Sequence, residues 1–94
     1  MIEGKAVARF GMGDILMTSL CSESREKCCV VLQNQEAKEI GEEVSTDGFR
    51  ISENDTLLVF TSMKSIDVLI DKLFEAKLMM KGTFTTEKTI EEEY

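Results

Sequence analysis

Three stretches of this chain are apolar at consecutive positions, where a strand with one wet face would alternate apolar and polar. In "CCVVL" (28–32), Cys28, Val30 and Leu32 face one way and Cys29 and Val31 the other. In "TLLVFT" (56–61), Leu57 and Val59 oppose Leu58 and Phe60. In "DILMTSL" (14–20), Ile15 and Met17 oppose Leu16 and Leu20. A sheet built from these strands is greasy on both sides, and each side needs cover.

One helix is clearly written to supply some of it. It begins near Ser62 or Ser65, either of which can cap. Ile66, Leu69, Ile70, Leu73, Phe74, Leu78 and Met79 or Met80 recur at three- and four-residue steps. Lys64, Asp67, Asp71, Lys72 and Glu75 form its wet face. Asp67 toward the start and Lys77 and Lys81 toward the end suit the helix dipole. Gly82 is a natural stop.

Three further short strands are read around these elements: "KAVARF" (5–10), the ambiguous "EAKEIGEEV" (36–44) as an edge strand, and 49–52. Ala37, Ile40 and Val44 also fit a helix, but Gly41 weakens that alternative. Turns are read at 11–13, 34–35, 45–48 and 52–55, and a polar loop at 22–26. The expected fold is therefore α+β: an antiparallel sheet of five to six short strands with one C-terminal α-helix packed on it. Residues 1–82 are expected to form a single domain and 83–94 an acidic tail.

One helix covers one face of a small sheet. The second face is left to a sheet curled on itself, to the tail, or to a second copy. Burying one aliphatic side chain is worth roughly 1.5–3 kcal/mol. Leaving several exposed would consume much of a small domain's stability of about 5–15 kcal/mol. We therefore expect a homo-oligomer, with Met17, Val31, Leu58 and Phe60 as interface candidates. The methionines are expected to fill core gaps or the seam between copies.

Catalytic signatures are missing. The 94 residues contain no histidine, so cysteine–histidine pairs and serine triads are excluded. No G-x-S-x-G elbow is present. "DGFRISEND" lacks the alternating ligands of a calcium loop. Asp47, Glu53 and Asp55 lie close in sequence and leave a carboxylate enzyme as a remote alternative. No cofactor or metal site is expected.

The glycine pair in "RFGMGDIL" (9–16) fits the first half of a dinucleotide fingerprint. Leu16 stands where the third glycine belongs, and the run from Asp14 reads as a strand where a helix would be needed. The pair is read as a tight hairpin turn with positive φ. Its N–H groups, with Arg9, offer a weak anion site. If Arg9, Arg25 and Arg50 converged, Gly11 and Gly13 would complete a ligand site for a small anion such as a signalling nucleotide.

Net charge is −7, which opposes binding to nucleic-acid backbones. No run approaches the roughly 20 apolar residues of a membrane span, and "MIEGKAVARF" shows no signal pattern. The three cysteines are odd in number, and adjacent Cys28 and Cys29 point to opposite faces of a strand. Reduced, buried thiols and a cytoplasmic location are therefore expected.

Short, acidic, strand-rich and free of a catalytic signature, the chain is similar to the small accessory proteins of phages and mobile elements. That similarity is one of composition and rests on no motif. It implies stoichiometric inhibition of a host protein, an anti-defence role. An oligomeric sponge for a small anionic ligand is the alternative.

Overall fold

The computed structural model describes residues 1–4, 7–43, 48–83 and 90. Their contacts divide the chain into two units, Met1–Val59 and Phe60–Tyr94.

The first unit is built on strands β1 (Ile15–Cys21) and β2 (Cys28–Asn34). They pair antiparallel, with Ile15 opposite Asn34 and Cys21 opposite Cys28. β3 (Thr56–Phe60) follows β2 in an antiparallel sheet of order β1-β2-β3. The α+β class is as expected, but among the described residues three strands stand where five to six were predicted.

Each missing strand has a local reason. The described part of "KAVARF", 7–10, is exposed throughout and carries no strand. It runs straight into Gly11, whose φ of 134° breaks an extended path. The described part of 36–44 is irregular and exposed, with a turn in which the Glu42 N–H donates to the Glu39 carbonyl at 3.0 Å. Its carboxylates favour solvation, and few of its side chains have anything to pack against. In 49–52, the Ser52 N–H donates to the Asp55 carboxylate at 2.7 Å, so a ladder partner loses it to a local side chain. Among the described residues no strand precedes the glycine pair, so they show no hairpin around it. The hairpin instead closes across the polar stretch between β1 and β2.

The β1–β2 register explains the burial. Ser22 N–H donates to the Lys27 carbonyl at 2.8 Å, and Gln35 N–H to the Asp14 carbonyl at 2.9 Å. Both pairs belong to one register, so even-numbered β1 residues sit at hydrogen-bonded pairs and odd-numbered ones at the closer, non-hydrogen-bonded pairs. Leu16, Thr18 and Leu20 share a face with Gln33, Val31 and Cys29. Val31 at its centre is wholly buried. Ile15, Met17, Ser19 and Cys21 share the other face with Asn34, Leu32, Val30 and Cys28. Met17 on that face is 59% exposed.

The same register corrects the expectation of reduced cysteines. Cys21 and Cys28 form a disulfide, with Cα atoms 4.0 Å apart, and Cys29 remains a free thiol. A non-hydrogen-bonded pair brings its two side chains closest. Cys28 and Cys29 are kept apart by the pleat, as expected, but the partner of Cys28 is the residue opposite it, seven positions back.

The second unit holds the helix α1 (Met63–Met80). Ser62 is its N-cap, with extended backbone and a side chain that accepts from the Lys64 N–H at 3.2 Å. Asp67 lies beyond the first turn, which contains no acidic residue, so it meets no free N–H end. At the other end, Gly82 N–H donates to the Met79 carbonyl and Thr83 N–H to the Leu78 carbonyl, at 3.0 and 3.1 Å. This is the paired closure that a left-handed residue permits, and Gly82 has φ 76°. Ile66, Leu69 and Leu78 are half-buried, while Ile70, Leu73 and Phe74 are exposed. Lys72 and Glu75 pair on the wet face at 3.4 Å.

Candidate functional site

The open end of the β1–β2 hairpin is where the first unit gathers polar groups into concave surface. Beyond the last strand pair, the chain after β2 continues alongside the residues before β1. Gly13 carbonyl accepts from the Lys38 N–H at 3.0 Å and from Gln35 Nε2 at 3.1 Å. Gly13 has φ 71°, and a Cβ placed on it would overlap the Lys38 carbonyl. Only glycine serves at this crossing, for conformation and for space.

A groove of about 380 Å³ opens beside the crossing. Phe10, Ile15, Met17 and Ile40 line it with apolar surface, and Glu39, Glu42, Glu43 and Asp14 line it with carboxylates. Lysine and arginine are absent from its described lining. A second, polar hollow of about 320 Å³ lies nearby, lined by Arg9, Asp14, Gln33, Asn34 and Asn54 among others. At the closed end of the hairpin, the disulfide, Cys29, Leu57 and Val59 bound a third hollow of about 290 Å³.

The anion-site residues are distributed over this surface. Gly11 and Gly13 line the carboxylate-lined groove, and Arg9 lines the polar hollow. Arg50 is exposed, and its carbonyl accepts from Gln33 Nε2 at 2.8 Å. Arg25 sits in the hairpin loop with φ 63°, its N–H donating to the Ser22 carbonyl at 3.0 Å. It is at the far end of strands seven residues long, roughly 20 Å from the glycine pair. The three arginines do not line one described groove.

Among the interface candidates, Met17 and Val31 occupy opposite faces, and Val31 is already buried within the chain. Leu58 is 37% exposed, and Phe60 is half-buried at the end of β3.

Of the carboxylates weighed for acid–base work, Asp47 lies outside the described residues and Glu53 is exposed. Asp55 is tied into structure. The Ser52 N–H, and then the Gln33 amide, hold its carboxyl below the usual carboxylate range. A carboxylate stabilised in its charged form holds a turn well but is a poor proton donor near neutrality.

Sequence reasoning missed three features. The first is the Gln33–Asp55 tie, for which "SEND" carried only a turn signal. The second is the disulfide, whose signal was two cysteines flanking a polar loop at matched distances. The third is the acidic lining of the groove, written in "EIGEE" as carboxylates around a single isoleucine.

Among the described residues, no three carboxylate, thiol or imidazole groups converge to hold a metal ion. No described helix is long and apolar enough to cross a membrane. Comparison with family models, with curated proteins and with solved structures gives no match.

Proposed function

We propose that this chain is a non-catalytic binding protein that acts stoichiometrically and works as an assembly of two or more copies. The observation that carries the reading is the two-sided apolar sheet. Val31 is the only fully buried apolar side chain among the described residues, whereas Met17, Leu57, Leu58 and Val59 are exposed. Single layers of this kind are stable only when covered. In this reading a second copy shields the face that carries Val30 and Leu32. A hairpin stapled by a disulfide would present that face as a rigid surface, which lowers the entropic cost of association.

Turnover plays no part in the reading. The chain has no histidine, and Asp55, weighed for acid–base work, is held in its charged form. Blocking or holding a partner protein suits such a surface, and an inhibitory role is the form we favour. The anion-sponge alternative draws no support from the arginine positions.

Light scattering at micromolar concentration tests the assembly. We expect a mass of two or more chains, and Val30→Asp shifts it toward one. Far-ultraviolet circular dichroism of that variant establishes that it is folded. A folded wild-type monomer, unchanged up to high micromolar concentration, overturns the assembly.

A further inference from the structure

We infer that the groove beside the Gly13–Lys38 crossing docks a basic, amphipathic segment of a partner protein. The inference rests on the reading of the chain as a stoichiometric binder and names the chemistry of what is bound.

The groove combines two features. Its floor is apolar and open, with Phe10 and Ile40 respectively 57% and 70% exposed. Its rim carries Glu39, Glu42 and Glu43. Apolar surface framed by polar residues marks interaction sites, and a volume of about 380 Å³ holds two or three side chains of a docked segment. The rim carboxylates do not converge as an ion-binding cluster, so they act as a field over the groove. That field attracts a cationic segment and orients it.

Charge decides between occupants. A second copy brings another acidic chain, of net charge −7, and would place like charges against the rim. A nucleic-acid backbone or a small anion is repelled for the same reason. A segment with lysine or arginine beside leucine-like side chains satisfies both floor and rim. One wall is tied down at the crossing. Lys38 and Gln35 are both bonded to Gly13 carbonyl, and Gly13 tolerates no side chain.

The test uses the full chain and a labelled peptide with lysines and leucines at helical spacing. Two control peptides replace leucine by serine, or lysine by glutamate. We expect the lysine–leucine peptide alone to bind. Glu39→Gln/Glu42→Gln/Glu43→Gln should weaken binding roughly tenfold, from three exposed charge pairs. Binding should weaken as salt rises from about 0.05 to 0.5 M, and Ile40→Ser should reduce it independently. All four residues are exposed, and circular dichroism checks that the variants fold. Equal binding of the glutamate–leucine peptide, unchanged affinity in the triple variant, or no binding at all overturns the inference. An assembling chain that ignores the peptide removes this inference and leaves the assembly standing. A monomer that binds it does the reverse.

Discussion

Gln33 Nε2 donates to Asp55 Oδ2 at 2.8 Å, tying the middle strand of the sheet to the turn that launches β3. The same nitrogen donates to the Arg50 carbonyl at 2.8 Å. One amide group thus holds both ends of the 50–55 segment against β2. Ser52 N–H completes the arrangement on the same carboxylate oxygen at 2.7 Å.

This tie predicts a pH dependence. The Ser52 N–H and the Gln33 amide favour ionised Asp55 and hold its pKa below the ordinary value. The folded state then binds fewer protons than the unfolded chain in that range. The contribution is complete above about pH 4, the unfolded-chain value, and is lost as pH falls through the lower folded value. Denaturant melts at stepped pH should show wild type losing stability below about pH 4 more steeply than Asp55→Asn. Parallel curves would show that the carboxylate is not held this way.

The disulfide predicts sensitivity to reductant. It links residues seven apart, and chain entropy for so short a loop gives about 2.5 kcal/mol. Adding dithiothreitol should lower the melting temperature of wild type by roughly 10–20 °C. Cys28→Ser should melt at the lower temperature with or without reductant, and Cys29→Ser should respond as wild type does. Three titratable thiols in the denatured, non-reduced chain would contradict the bond.

Two residues with positive φ predict opposite outcomes. Gly13→Ala introduces a side chain in left-handed backbone and drives it into the Lys38 carbonyl. We expect a loss of about 2–3 kcal/mol. Arg25 already carries a side chain at φ 63°. Arg25→Gly relieves that conformation and should stabilise by roughly 0.5 kcal/mol, once the added freedom of the unfolded chain is subtracted. Urea unfolding of the two variants beside wild type reads both signs.

The helix ends supply a fourth expectation. Ser62→Ala removes the acceptor for the Lys64 N–H and should cost about 1 kcal/mol. Gly82→Ala forces a Cβ into the left-handed closure at φ 76° and should cost about 1 kcal/mol. Neither touches the hairpin, so the loss should appear as reduced helical signal on warming. Unchanged helix melting in both variants would contradict the capping geometry.

Local rules carried the sequence reading furthest where the cause is local. Ser62 and Gly82 bound the helix because capping depends on the groups within one turn of each end. The strands at 15–21, 28–34 and 56–60 were legible because runs such as "CCVVL" and "TLLVF", rich in β-branched and apolar residues and bounded by turn signals, favour extended structure. Strands were misassigned at 7–10, 36–43 and 49–52, where short patterns fit a strand but nothing supplies a ladder partner. The cysteines were misread because Cys28 was compared with its chain neighbour and not with the residue across the hairpin.

Residue order alone determined that the sheet is apolar on both faces, that one capped helix follows it, and that histidine chemistry is excluded. Each of these depends on composition or on periodicity over a few residues. Tertiary structure decided which residues stand opposite one another: Cys21 with Cys28, Gln33 with Asp55, Gly13 with Lys38. It also separated Arg25 from the glycine pair and set carboxylates around the groove that Gly11 and Gly13 share. Pairing across a sheet shifts by whole residues with no change in local pattern, so only the assembled register selects these neighbours.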